Sequence, residues 1–222
     1  SSAASDVYKR QYNIITKKGG IIMATYIIIA LLAYAIGSIN FSVIISKKYA
    51  GFDVREKGSG NAGTTNMLRS VGKKAAAVTL ICDILKGVVA IIIALIAGKI
   101  AKNTDQALLV QIAGIAVILG HTYPIFFGFK GGKGVATSLG ILIMTNWQIG
   151  LICLLFAVII MAFSKMVSMG SVGAAILFPI LTLFIQNHYI VQASGFKYFI
   201  YSVIVAAIIT VSYTHLTLPT IA

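Results

Sequence analysis

The chain has 222 residues, of which 59% are hydrophobic and only 10% charged. A soluble domain carries about 25% charged residues, so this composition excludes an ordinary globular protein and points to an all-α, polytopic integral membrane protein. Lys and Arg number 18 against 5 Asp and Glu, a formal net charge of +13; that excess suits cytoplasmic loops and anionic lipid or phosphorylated partners, and with no separate basic domain nucleic acid is not an expected partner.

Residues 1–11, SSAASDVYKRQ, and 211–220, VSYTHLTLPT, resemble translated sequencing-adapter sequence and break the apolar pattern beside them. The expectation is that 1–22 and 211–222 are non-native, with Met23 a natural start and His215 belonging to no site. Between them, against the 20 or so apolar residues that a membrane span needs, apolar stretches fall at 24–46, 75–98, 106–127, 134–145, 150–163, 167–186 and 197–210; 134–145 and 150–163 are short, and 134–145 is a full span only if it starts within the glycine-rich loop before it. These predict about seven transmembrane helices. A long polar loop, 47–74, separates the first two. It carries Lys47, Lys48, Arg55, Lys57, Arg69, Lys73 and Lys74, so it should face the cytoplasm and leave the N-terminus outside. The turn with Lys130 and Lys133 and the turn with Lys165 then fall inside as well. Loops 99–105 and 187–196 fall outside, with Lys99 and Lys102 against the rule and Trp147 anchoring the outer interface. No internal repeat or pair of interrupted spans is visible, which argues against an inverted-repeat transporter.

Two polar segments carry the chemistry. Residues 58–69 read GSGNAGTTNMLR, with three glycines, many neutral donors and no acid. Such a loop can wrap N–H and hydroxyl groups around an anion, with Arg69 as a bidentate clamp; Ser59, Asn61, Thr64, Thr65 and Asn66 are the candidate donors. The bland alternative is a solvated linker. Residues 121–137 read HTYPIFFGFKGGKGVAT. Gly128, Gly131, Gly132 and Gly134 surround Lys130 and Lys133 just before an apolar helix, whose N-terminus could take a phosphate. The spacing is not that of a Walker A loop, and the alternative is a tight re-entrant turn with snorkelling lysines.

His121 is the one plausible imidazole base, since His188 should lie outside; it could equally be a packed hydrogen-bonding group. Asp83 and Lys86, three apart on the second span, read as a buried pair. Ser168 and Ser171 open the sixth span, where small residues favour close helix packing or an anion. Cys82 and Cys153 read as packed thiols with no metal or disulfide spacing. The chain has no GxSxG, HExxH or HxxxxD motif and no carboxylate dyad, and its acids are too few for general-base catalysis by Asp or Glu. No cofactor is expected.

YAIGSINF, GSGNAGTTNMLRSVGKKA, DILKG, GHTYPIFFGFKGGKGVAT and VSMGS occur in order over about residues 23–210. This sequence resembles the bacterial acyl-phosphate-dependent glycerol-3-phosphate acyltransferases. The resemblance implies a seven-span helical protein of the bacterial cell membrane with its site facing the cytoplasm. It also implies transfer of a fatty acyl group from acyl phosphate to the sn-1 hydroxyl of glycerol 3-phosphate, giving lysophosphatidic acid and phosphate at the start of phospholipid synthesis. Membrane lipids and the soluble enzyme that makes acyl phosphate are the further partners it suggests. By motif, Ser59, Asn61, Thr65, Asn66 and Arg69 belong to the first site loop. Gly131, Gly132, Lys133 and Gly134, with Lys130 nearby, belong to the glycerol-3-phosphate side; His121 heads that motif and Ser168 belongs to a third. Ser59, Arg69, Lys133 and His121 are the expected catalytic group. The family's closing RHxxNI-type segment is absent, so a C-terminally truncated domain is expected, and Asn40 stands where the family usually has proline. The rival readings are a phosphate or organic-anion transporter, and an acyltransferase that uses acyl-CoA or acyl carrier protein.

Overall fold

The structure, a computed structural model, describes residues 2–101, 103–185 and 195–217. His188, Lys102 and most of the 187–196 loop lie outside them. The described residues contain nine α-helices and no strand: α1 (Ser2–Gly37), α2 (Phe41–Ala50), α3 (Thr64–Ser70), α4 (Lys73–Ile100), α5 (Gln106–Thr122), α6 (Val135–Thr145), α7 (Trp147–Ser164), α8 (Val167–Phe184) and α9 (Gly195–Thr217). Six segments are long and apolar enough to cross a bilayer: 19–50, 73–100, 106–127, 147–164, 167–184 and 195–214. Helix α6 has 11 residues and reaches only about 16 Å at 1.5 Å per residue.

The expected first span, 24–46, is not continuous. It breaks at Ser38–Asn40, where Asn40 caps α2: its side-chain oxygen accepts from the Val43 N–H at 3.3 Å and the Ser42 hydroxyl at 2.7 Å. Nor is 47–74 one long loop. Helix α2 runs on to Ala50, a 3-10 turn covers Val54–Glu56, and α3 takes up Thr64–Ser70. A second hydrophobic cluster of Val43, Ile45, Val54, Ala62, Met67, Ala75 and Ala76 packs this segment onto the ends of α2 and α4. A seven-residue helix has little stability of its own; burial of Met67 at 0% exposure holds it in place.

The main bundle packs α1 on α5, α4 on α6, and α8 between α7 and α9. Glycines set the close approaches, as expected where helices meet in lipid. A Cβ on Gly37 would strike the Val117 carbonyl, and one on Gly120 the Tyr34 carbonyl, so α1 and α5 each present a glycine to the other's backbone. Gly87 and Gly140 do the same for α4 and α6, against Thr137 and Ile84. Large apolar side chains such as Leu31, Ile96, Leu155, Phe163 and Leu183 are exposed on the outside, where hydrocarbon rather than water is their natural solvent.

The two ends of the bundle differ in chemistry. At one end, Asp105 caps α5, accepts from the N–H groups of Ala107 and Leu108, and meets Lys197 of α9 at 3.4 Å. Both glycine-rich segments gather at the other.

Candidate active site

The first segment is a short loop that turns into α3. Gly58 and Gly60 take left-handed φ values of 58° and 69°, which glycine adopts without strain. Asn66, expected to contact substrate, is 1% exposed, and its amide is committed to the loop itself. Its nitrogen faces the carbonyls of Val54, Lys57 and Asn61 at 2.8, 3.0 and 3.0 Å. Its oxygen accepts from the Ser59 N–H at 3.0 Å and the Ser70 hydroxyl at 3.3 Å. Asn66 shapes the loop from within, and no donor is left to turn outward. Ser59, Asn61, Thr64 and Thr65 are half-buried, while Arg69 is exposed.

The second segment leaves α5 at Thr122, makes a 3-10 turn at Ile125–Phe127 and folds back before α6. Gly128, Phe129 and Gly134 have positive φ of 66°, 58° and 80°. A Cβ on Gly134 would lie 2.9 Å from Ile118, a full turn before α5 ends, so the loop re-enters the bundle. Gly131 and Gly132 do not offer free N–H groups to an anion. They donate to the carbonyls of Thr122 and His121 at 3.1 and 3.0 Å. These two glycines allow close approach instead: a Cβ on Gly132 would fall on His121 Nε2 and lie 2.8 Å from the Ala62 carbonyl oxygen. That contact brings the first loop, the second loop and His121 together at one point. Tyr34 and Ser38 of α1 and its end fasten the second loop from below, through the Tyr123 carbonyl at 2.7 Å and the Ile125 N–H at 3.4 Å.

Arg69, in the last turn of α3, and Lys133, in the second loop, are the cations that the two segments bring to this end. Partial burial, and then the Arg69 charge, hold the Lys133 ammonium below its usual range. Two cations that repel across a gap are stabilised by an anion between them. Around the start of α6, the hydroxyls of Thr122, Thr137 and Ser138 are buried with no hydrogen-bond partner, as is the side-chain oxygen of Asn61. Buried polar groups left unpaired are costly, and a polyoxygenated ligand would satisfy them. Lys130 is exposed. Ser168 lies in the first turn of α8, whose main neighbours are α7 and α9. Residues 211–217 continue α9, and the Tyr213 ring lies 3.8 Å from Lys133 Nζ.

Beneath the loops lies a buried charged group. Asp83 Oδ1 is 3.1 Å from Lys86 Nζ and 3.5 Å from His121 Nδ1. Asp83 Oδ1 makes no well-aligned hydrogen bond and is held chiefly by charge. Lys86 also donates to the carbonyls of Gly37 and Ile39, at 3.1 Å each, tying α4 to the break after α1. The residues that the sequence reading passed over are Asp53 and Arg55. Asp53 accepts from Arg55 Nε and Nη2 at 3.0 and 2.8 Å, and Arg55 Nη1 donates to the carbonyls of Phe127 and Lys130 at 2.7 and 3.2 Å. Their signal was available: an Asp-x-Arg pair directly before the loop, in a chain with five acids. Among the described residues no three His, Cys, Asp or Glu side chains converge as a metal site.

The fold and site define a polytopic helical membrane protein with two cationic, glycine-rich segments joined at one end of its bundle. Residues 27–217 match the family described as glycerol-3-phosphate acyltransferase, and the chain belongs to that family. It is 45% identical over 163 residues to a glycerol-3-phosphate acyltransferase of Clostridioides difficile (strain 630), covering 73% of this chain and 79% of that protein. To the same-named protein of Thermoanaerobacter sp. (strain X514) it is 40% identical over 182 residues, covering 82% and 85%. Two crystal structures of the integral membrane glycerol 3-phosphate acyltransferase PlsY are similar. Its glycerol 3-phosphate form gives a TM-score of 0.73 at 34% identity, covering 86% of this chain and 88% of that one. Its lysophosphatidic acid form gives 0.71 at 31%, covering 88% and 89%. The family favours an acyltransferase over the transporter reading.

Proposed function

We propose that this protein transfers a fatty acyl group from acyl phosphate to the sn-1 hydroxyl of glycerol 3-phosphate, at the cytoplasmic face of a bacterial cell membrane. The observation that carries the proposal is the junction at Gly132, where an added Cβ would fall on His121 Nε2 and lie 2.8 Å from the Ala62 carbonyl oxygen, so that the two glycine-rich segments, one bearing Arg69 and the other Lys133, meet at one point. Two phosphorylated reactants call for two cations held a fixed distance apart. Ser59, Asn61, Thr64 and Thr65 line the Arg69 side, and Lys130 and Lys133 the other. Gly131, Gly132 and Gly134 let the second loop reach the first; Asn66 braces it. Ser168 remains a candidate on α8. The excess of Lys and Arg at this end supports the cytoplasmic assignment, with seven spans and the N-terminus outside.

In the reaction, the acceptor hydroxyl oxygen attacks the acyl carbonyl carbon, and the carbon–oxygen bond to phosphate breaks. Phosphate leaves with the electron pair. The mixed anhydride already has a good leaving group, so positioning and charge stabilisation supply most of the acceleration. His121 is buried and its Nε2 sits against Gly132, which supports a substrate phosphate, rather than the imidazole, as acceptor of the hydroxyl proton. The acyl chain stays in the bilayer, at about 0.8 kcal/mol per buried CH₂, and the soluble enzyme that makes acyl phosphate is a natural supplier.

The test is purified protein in lipid with labelled glycerol 3-phosphate and either acyl phosphate or acyl-CoA. Lysophosphatidic acid is expected from acyl phosphate. Formation from acyl-CoA alone would overturn the assignment of the donor.

A further inference from the structure

We infer that Arg55, locked by Asp53, is a positioning residue that sets the second glycine-rich loop against the first. The inference rests on the proposed reaction. Loops 58–63 and 123–134 belong to different helical hairpins, and the proposed site needs them held together where Gly132 approaches Ala62. The second loop has left-handed backbone at Gly128, Phe129 and Gly134 and an exposed tip at Phe126, Phe129 and Lys130. Arg55 is a side chain of the first segment that grips that tip. One guanidinium nitrogen donates to the carbonyls of Phe127 and Lys130, on either side of the Gly128–Phe129 turn. The other face of the same guanidinium is fixed by two bonds to the Asp53 carboxylate, and that carboxylate also accepts from the Arg55 N–H at 3.0 Å.

This is a planar fork used on three sides, and a lysine, with one point donor, cannot reproduce it. Asp53 is 7% exposed and caps the 3-10 turn that carries Arg55. Lys47 adds a second cation at 3.6 Å from the carboxylate. The backbone of the turn and the carboxylate together hold the guanidinium rigidly, so its reach to the second loop is determined before substrate arrives. Preorganisation of this kind is what a reaction between two bound substrates requires.

The test uses the full chain in lipid with Cys82 and Cys153 replaced by alanine and spin labels at Lys57→Cys and Phe126→Cys. Arg55→Gln and Asp53→Asn should broaden the distance between the labels and weaken glycerol 3-phosphate binding about 10-fold. Arg55→Lys should recover only part of either effect. With activity scaled to the folded fraction, kcat should still fall. A distance that stays narrow in Arg55→Gln overturns the clasp. So does a broadened distance with unchanged binding and kcat, which would leave Arg55 a purely structural residue. A wild-type chain that binds no glycerol 3-phosphate refutes the proposed reaction instead, and the label distance then decides the clasp alone.

Discussion

Asp53 and Asp83 are both buried, and each has a cation beside it, Arg55 and Lys47 for Asp53 and Lys86 for Asp83, as a carboxylate at a membrane requires. For Asp53, the hydrogen bonds from Arg55 hold the carboxyl down at about 2, against an ordinary value of 3.8. Its folded-state value is depressed, so the stability it adds is complete above about pH 4 and disappears as pH falls toward 2. Thermal unfolding in detergent should therefore decline between pH 4 and 2 by about 2 kcal/mol more in the wild type than in Asp53→Asn. Parallel curves would show that the pair is too solvated to matter. Arg69 and His121 separate binding from proton transfer. Arg69→Ala should lower kcat/KM about 100-fold, the loss of a charge-assisted bond to phosphate. His121→Gln should cost far less than the factor of about 10³ due to a general base, and a larger loss at unchanged substrate binding would make the imidazole the base. Arg69, Lys133 and His121 stood out in the sequence as candidates because their residue types and motifs mark them. Arg55 was not, because its partners are carbonyls 72 and 75 residues away, and nothing in local sequence marks a carbonyl as a partner. Asn66 was assigned to substrate for the opposite reason. An amide in a donor-rich loop has the same composition whether it turns inward or outward.

Among the elements, apolar helices were readable, the short α6 included, and the two polar-flanked short ones, α2 and α3, were not. The apolar runs of α4, α5, α7 and α8 are each continuous, and their ends came within a few residues of those expected. The break between α1 and α2 was hidden in a run that stays apolar on both sides of Ser38–Asn40, and only the cap geometry of Asn40 exposes it. Helix α3 was hidden by its glycine-rich approach, since tertiary burial of Met67, not local propensity, makes it a helix. Helix pairing depends on the glycines. A side chain at Gly87 must displace the Thr137 backbone, whereas one at Gly98 would meet only the flexible Gln106 side chain at 3.1 Å. Gly87→Val should accordingly lower the melting temperature by roughly 5 °C, from the overpacking cost and the usual conversion. Gly98→Ala should leave it near the wild-type value. Equal effects would mean that α4 and α6 do not depend on this contact.

For the whole molecule, charge and motif order carry the functional argument further than the helix count does. Polar, glycine-rich and cationic segments that are far apart in sequence converge at one end, and the opposite end is tied by Asp105, Lys197 and Tyr26. A transporter needs a polar path from end to end, whereas a transferase that takes a lipid-like donor and a soluble acceptor needs one reactive face. Sealed vesicles with the glycine-rich end outward, given labelled glycerol 3-phosphate and acyl phosphate, test this most directly. The account predicts label in membrane-bound lysophosphatidic acid, with one phosphate released per acyl group transferred, and none in the lumen. Unmodified glycerol 3-phosphate accumulating inside the vesicle, with no acylated product, would contradict it.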